Sequence, residues 1–300
     1  MKNLIPVCHR SLFAALLLVA ACPGFAEFAY LRSDGEYWQI WRSGALDKNH
    51  SRWTRSPRDK RALQFDVAGP RILFRDHQGA LYAVGTRTAK TEEEQIPNRE
   101  QIKDFDFDSD RGMLLSSYAP NAMDNIRIWW KAPGDPARRL VVSDSHLNEM
   151  PRWVDRERFV YVHTRAGKSD FRMGSIADKR RDLLIDHTSL NVQDPAVHPS
   201  GSSAVFSGRR EANTDLWIYT FDTGNAALLY AGPGLDAEPS WSADGRWVLF
   251  ATWDGSHFRI ARIRSDGSEM TYLTEPGMDC RSPVSLDAEG GDPGRENQEE

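Results

Sequence analysis

Alternating apolar and polar positions between residues 236 and 274 predict four consecutive β-strands. Asp-Gly pairs at 244–245, 254–255 and 266–267 separate the alternating runs. Because Asp-Gly between such runs is a strong hairpin signal, the segment is predicted to form an antiparallel meander. The predicted strands cover residues 239–242, 247–252, 258–264 and 270–273.

The same pattern recurs along the chain with a period of about 44 residues. A proline opens the predicted innermost strand of four copies, and each of these prolines lies 44 residues after the one before: Pro151, Pro195, Pro239 and Pro283. Two weaker copies place Leu63 and Phe105 at the proline position. Because a period of 20 to 50 residues is typical of stacked repeat units, the chain is predicted to be a repeat protein.

The first and last copies are incomplete in complementary ways. Residues 28–54 supply the outer strands of a unit without its first strand, and residues 283–286 supply a first strand alone. Pairing the two pieces completes a sixth unit and removes the open sheet edges. The prediction is an all-β fold, a six-bladed β-propeller over residues 27–286 closed by its C-terminal strand. Residues 91–103, polar and interrupted by Pro97, are predicted to be an exposed connection.

The repeats resemble those of the TolB-like β-propeller family. The shared form is P-x-W-S-x-D-G-x-x-ψ-x-F followed by N-x-D-ψ-W/Y-ψ-x-x-x-x-G, where ψ is apolar. The last full copy carries its first part in Pro239, Trp241, Ser242, Asp244, Gly245 and Phe250. The preceding copy carries Pro195, Ser200, Gly201, Phe206, Asn213, Asp215 and Trp217. The resemblance covers residues 28–286 and implies a propeller. TolB has an α/β domain before its propeller, which is not expected here, so the resemblance is not taken to imply a role in the Tol-Pal system.

The two ends of the chain have the composition of processing and tail segments. Residues 1–26 combine a basic start, an apolar run and a small-residue ending, the layout of a secretory signal cleaved after Ala26. An alternative is lipid attachment at Cys22, which follows Val19-Ala20-Ala21 as in a bacterial lipobox. Either route predicts export, to the periplasm. Residues 287–300 are acidic and predicted to be disordered.

Charge and cysteine content narrow the expected partners. Without residues 1–26 the chain has 36 Lys and Arg against 43 Asp and Glu, a formal net charge of −7. This balance argues against nucleic acid and anionic membrane surfaces as partners, so membrane contact is expected only through a lipid on Cys22. Cys280 is left without a partner for a disulfide. We expect a monomer.

No motif for a metal, cofactor or nucleophile stands out. Histidines share no repeat phase: His163 follows Pro151 by twelve residues, His198 follows Pro195 by three, and His146 and His187 precede the next proline by five and eight. The run DFDFDSDRG from Asp104 to Gly112 lacks the spacing of a calcium loop. It is predicted to be a strand with its phenylalanines inward and its aspartates outward. No cofactor, metal or catalytic residue is predicted.

Acidic residues do share a phase. Glu238, Asp194 and Asp104 directly precede the proline-equivalent position, and four more polar residues lie near it: Asp236, Asn148, Glu149 and Asp279. In a propeller this phase surrounds one mouth of the central channel, which predicts a ligand-binding acidic rim with Lys60, Arg61 and Arg281 as a basic sector. The alternative is that these short acids only cap turns.

The predicted function is non-enzymatic binding of a protein or peptide of the bacterial cell envelope. The competing function is an enzyme, a lyase or hydrolase, acting on extracellular glycan or peptide. Such an enzyme would need histidine, tyrosine and acids converging at the channel mouth, and only acids share that phase.

Overall fold

The computed structural model describes residues 27–45, 49–86, 92–98, 101–120 and 122–286. Within these ranges the chain forms 24 β-strands and no helix, which confirms the all-β prediction. No helix long and apolar enough to cross a membrane occurs in these ranges. The predicted export signal and acidic tail lie outside the described residues.

The strands follow one another in antiparallel runs. The first eleven are β1 (Glu27–Ser33), β2 (Trp38–Gly44), β3 (Ser51–Arg52), β4 (Lys60–Asp66), β5 (Arg71–Asp76), β6 (Leu81–Gly85), β7 (Glu93–Ile96), β8 (Ile102–Asp108), β9 (Gly112–Ala119), β10 (Ala122–Lys131) and β11 (Arg139–Val142). The next eight are β12 (Leu147–Trp153), β13 (Arg158–Arg165), β14 (Lys168–Ser175), β15 (Arg181–Ile185), β16 (Asn191–Val197), β17 (Ser203–Arg210), β18 (Asn213–Thr220) and β19 (Asn225–Tyr230). The last five are β20 (Asp236–Trp241), β21 (Trp247–Trp253), β22 (Phe258–Arg264), β23 (Thr271–Tyr272) and β24 (Cys280–Ser285).

These strands pair into four four-stranded sheets and one eight-stranded sheet. The four-stranded sheets have the orders β24-β1-β2-β3, β4-β5-β6-β7, β16-β17-β18-β19 and β20-β21-β22-β23. The eight-stranded sheet combines the runs β8–β11 and β12–β15, joined by one parallel pairing of Ile126 with Leu147. The first sheet contains both ends of the described chain, because Phe28 pairs with Ser285 and Arg32 with Cys280. The predicted pairing of these segments is therefore confirmed.

The core consists of apolar layers between neighbouring sheets. Phe171 of β14 and Phe206 of β17 pack with their ring centroids 5.6 Å apart across one such layer. Trp241 and Phe250, two residues of the shared repeat form, are both buried in this core. Each sheet buries side chains on both faces, so its stability depends on its neighbours.

Two details differ from the sequence prediction. Residues 91–103 were expected to be a connection, but they contain β7, which pairs with β6 through Leu81 with Ile96 and Val84 with Glu93. This strand is at the edge of its sheet, and all four of its residues are at least partly exposed, which suits its polar sequence. The predicted outward direction of the aspartates in β8 is also wrong, since Asp104 and Asp106 face a central cavity rather than the outer solvent.

A β-bulge interrupts the innermost strand of five repeats, at the proline-equivalent position and the residue before it. In β12, Met150 and Pro151 together oppose Tyr161, and the same two-against-one arrangement recurs in four other units. The first bulge residue has a positive φ in each case: Ala62 (55°), Met150 (53°), Asp194 (48°), Glu238 (52°) and Ser282 (48°). A bulge of this kind redirects side chains at the site where it occurs.

Candidate functional site

The innermost strands surround a cavity of about 740 Å³. Strands β4, β8, β12, β16, β20 and β24 all contribute to its wall, so residues from every repeat meet there. Its acidic residues are Asp104, Asp106, Asp108, Glu149, Asp194 and Glu238. Its basic residues are Lys60, Arg61, Arg75, Lys103, Arg111, Arg152 and Arg281. The cavity wall therefore carries mixed charge, with more basic residues than the predicted sector contained.

The bulge residues are linked from one repeat to the next by hydrogen bonds. The Asp194 amide donates to the Met150 sulfur at 3.3 Å, and the Ser282 amide donates to Glu238 Oε2 at 2.7 Å. The Ser282 hydroxyl also donates to Glu238 Oε2 at 3.0 Å. The Glu238 amide forms a hydrogen bond with the Asp194 carboxylate. The side chains of Met150, Asp194 and Glu238 thus each accept a hydrogen bond from the backbone amide of the following bulge.

Asp194 is the most perturbed acid of the cavity. Burial raises its pKa from 3.8 to about 7, and the nearby charges of Glu238 and Asp104 act in the same direction. Arg152 opposes the shift without cancelling it. Near neutral pH this carboxyl therefore exchanges a proton readily and would be stabilised in its ionised form by an added cation.

A second group of charges is paired across repeats. Arg152 donates to Asp104 Oδ2 at 3.2 Å and to the carbonyl of Pro151 at 2.8 Å. Burial disfavours the charge of Arg152, but Asp104 and Asp106 outweigh that effect and raise its pKa. Asp106 accepts the Trp153 amide at 2.7 Å, and burial raises its pKa to about 6. This side of the cavity is largely neutralised within the protein.

The remaining cavity residues differ in how freely they face its interior. Burial raises the pKa of Glu149, which lies near Lys103. Lys60 borders the cavity but is fully buried. Its ammonium lies 3.4 Å from Glu93 Oε1, so its charge is paired with a residue that does not line the cavity. Arg281 approaches Glu238 Oε1 at 4.0 Å, and its side chain is 42% exposed. Arg61 lines the cavity as predicted.

Three residues predicted near the rim lie elsewhere. Asn148 is fully buried and donates to the Ile126 carbonyl at 3.0 Å. Asp236 is also fully buried, accepts the Gly232 amide at 2.7 Å, and has a pKa raised by burial to about 6. Asp279 accepts the Phe258 amide. All three residues precede the first residue of the following bulge by two or three positions. Their side chains form hydrogen bonds with nearby backbone groups and do not line the cavity. The prediction that Asn148 and Asp236 bind a ligand at the rim is therefore not supported by their positions.

The sequence interpretation missed Asp106, Arg75 and Arg152. Arg152 had a usable signal, since it directly follows Pro151 and the same position is Ala196 and Ser240 in the next two repeats. The long charged side chain of Arg152 differs from these two small residues, which indicates a special contact. Arg75 had no such signal, because it lies on the second strand of its sheet.

Comparison with known proteins supports the fold. No protein-family model matches the chain. A curated relative, an uncharacterised protein of Agrobacterium fabrum (strain C58), is 32% identical over 77 residues. That match spans 26% of this chain and 26% of the relative, so it concerns about a quarter of each protein.

Several solved structures share the architecture at low sequence identity. TolB from Acinetobacter baumannii superposes with a TM-score of 0.73 at 16% identity, over 86% of this chain and 66% of the TolB chain. A TolB candidate from Agrobacterium tumefaciens superposes with a TM-score of 0.65 at 15% identity, over 84% of this chain and 89% of that chain. An oligogalacturonate lyase in complex with manganese superposes with a TM-score of 0.57 at 10% identity, over 82% of this chain and 73% of the lyase chain. At these identities the likeness shows that the chain has the fold of TolB-like β-propellers.

Proposed function

We propose that this chain is an exported, non-enzymatic β-propeller that binds a cationic segment of an envelope protein in its central cavity. Six blades closed into a ring form the scaffold. The pairing of β24 with β1 and the bulges at intervals of 44 residues support this arrangement. The choice of an envelope protein as the partner follows from the resemblance of the repeats to the TolB-like family, with which the shared fold agrees.

The observation that carries the proposal is the position of Asp194. Its carboxyl lies in the cavity beside Glu238 and Asp104, and its pKa is raised by burial and by their charges. Arg152 is already paired with Asp104, and Arg281 is only loosely associated with Glu238. A lysine or arginine side chain entering the cavity would therefore meet acceptors that the protein itself does not neutralise.

Calorimetry with a short peptide of alternating lysine and glycine tests the proposal, with a glutamate–glycine peptide as the matched ligand. The triple variant Asp104→Asn, Asp194→Asn, Glu238→Gln removes three cavity charges and keeps the side-chain shapes. Its control is Glu36→Gln, Asp110→Asn, Asp222→Asn, which removes three exposed charges outside the cavity. We expect the cavity variant to bind the basic peptide at least about tenfold more weakly, or about 1.4 kcal/mol.

Salt dependence and capture from envelope extract complete the test. Binding to the native protein should weaken with added NaCl, and binding to the cavity variant should respond much less. The native chain should then capture a partner from an envelope extract that the cavity variant does not retain. Equal affinity and equal salt response for both proteins would place the interface outside the cavity.

A second function, an enzyme acting on extracellular glycan or peptide, rests on the same carboxyl. A pKa of about 7 at Asp194 suits a general base near neutral pH, and Arg152 lies close enough to influence it. The lyase among the similar structures motivates one assay, the release of unsaturated product from oligogalacturonate followed by ultraviolet absorbance. Activity that disappears in Asp194→Asn would favour this function over binding alone.

A further inference from the structure

A cluster of histidines and aspartates lies outside the central cavity, in the part of the eight-stranded sheet formed by β12–β15. Asp144 and His146 belong to the turn before β12, and His163 lies on β13. One potential ligand atom from each of the three residues lies within 4.8 Å of the other two. We propose that Asp144, His146 and His163 bind one divalent transition-metal ion, with Zn²⁺ as the metal that best fits these ligands.

The Asp144 carboxylate is already oriented for this role. Its Oδ1 accepts the His146 amide at 2.9 Å and the Asn148 side-chain amide at 2.9 Å. Its Oδ2 lies 3.4 Å from His163 Nε2. Two ligands of a tetrahedral Zn²⁺ ion stand roughly 3.4 Å apart when each bond is about 2.1 Å long. The spacing therefore fits an ion held between these two atoms.

The two imidazoles complete a three-ligand set. Their ring centroids are 5.1 Å apart, and the rings are inclined at 68°. His163 is 7% exposed, whereas the His146 side chain is 29% exposed and that of Asp144 is 40% exposed. Two imidazoles and one carboxylate with an open side match a site that keeps one position for water or another ligand.

The far side of His163 has the support that metal-binding histidines usually have. Among the described residues no atom forms a hydrogen bond with its Nδ1, which lies 3.6 Å from Asp170 Oδ2. Asp170 is held by Arg172 at 2.9 Å and by His187 Nδ1 at 2.7 Å. A small shift of the His163 ring would convert the 3.6 Å approach into a hydrogen bond. A carboxylate behind a ligand imidazole fixes the ring and its tautomer in metal sites.

The cluster is not a feature of the repeat. His163 pairs with Asn148, and the residues at the same place in the next two sheets are Gly208, paired with Val192, and Thr252, paired with Asp236. A general structural role for the repeat would leave similar side chains there. Comparing histidine positions between repeats did not find this cluster, because His146 and His163 meet within one sheet and do not form a ring around the cavity.

Titration of the metal-free protein with Zn²⁺, purified without a polyhistidine tag, tests the site. We expect one equivalent to bind and to raise the melting temperature. His146→Ala and Asp144→Asn each change a partly exposed ligand, and each should weaken binding at least about tenfold. The matched control is His257→Ala, a half-buried histidine in the turn before β22, which should bind like the native protein. Circular dichroism confirms that each variant is folded.

Two further measurements separate this site from its neighbours. Co²⁺ at the site should show visible absorption bands that His146→Ala loses, and Asp170→Asn should weaken Zn²⁺ binding about 10–100-fold without removing a ligand. Absence of stoichiometric binding, or unchanged binding in both His146→Ala and Asp144→Asn, would overturn the proposal. Loss in His187→Ala but not in His146→Ala would also overturn it, because the ion would then lie at the adjacent group of Asp170, Asp186 and His187.

Discussion

The carboxylate of Glu238 accepts a 2.7 Å hydrogen bond from the backbone amide of Ser282, 44 residues further along the chain. The two residues occupy the same position in successive repeats, and both have a positive φ. A side chain at one bulge therefore satisfies a backbone donor of the next bulge. The acids of the cavity wall have a structural task as well as a place in the candidate binding site.

This relationship predicts a difference between two substitutions of Glu238. Glu238→Ala leaves the Ser282 amide without its acceptor and should lower the free energy of unfolding by about 1–3 kcal/mol. Glu238→Gln keeps a carbonyl acceptor and should cost clearly less. Urea unfolding measures both, with Glu36→Ala as an exposed control. Equal losses for Ala and Gln would show that the charge, and not the hydrogen bond, stabilises this position.

Removal of the C-terminal strand should strongly destabilise the protein. Ending the chain after Gly277 deletes β24, which pairs with β1 and buries Cys280 and Val284. Loss of that burial should lower stability by more than about 3 kcal/mol, because both the apolar surface and the edge of β1 become exposed. Ending the chain after Leu286 is the control. Similar melting temperatures for the two truncations would argue against a closed ring.

Truncation of two core side chains should be costly in the same way. Trp241→Ala and Phe250→Ala should each lower stability by roughly 3–5 kcal/mol. Trp241 also donates its indole N–H to the Ala196 carbonyl at 3.0 Å, which links two neighbouring sheets. Trp241→Phe keeps most of the volume and should lose less. A fully stable Trp241→Ala protein that no longer binds its partner would assign this residue to the interface.

The raised pKa of Asp194 predicts how stability depends on pH. Its pKa is about 7 in the folded protein and about 3.8 when exposed, so folding favours the protonated form. Its contribution is fully present below the lower value and is lost as the pH rises through about 7. The free energy of unfolding should therefore fall less between these values in Asp194→Asn than in the native protein. Parallel pH profiles for the two proteins would contradict the assignment.

Hydrophobic periodicity and turn chemistry were enough to predict the repeat and the pairing of Phe28 with the C-terminal strand. Strand β22 was predicted with its observed bounds, because Asp-Gly turns flank it on both sides. Strand β7 was missed because an outer strand needs no apolar alternation. Asp194 and Glu238 were found through their shared phase. The pairing of Asp104 with Arg152 was not predicted, since it depends on how far side chains reach between the innermost strands of successive repeats.

The five bulge residues with positive φ are Ala, Met, Asp, Glu and Ser, and none is glycine. Glycine would adopt this backbone most easily, whereas other residues give up roughly 1–2 kcal/mol there. The repeat thus accepts five chemically different side chains in one fixed backbone geometry, all directed at the same space. Substitution at these positions can change the shape and charge of that space while the surrounding sheets stay as they are. Related propellers could therefore acquire new ligands through a handful of replacements at this single phase.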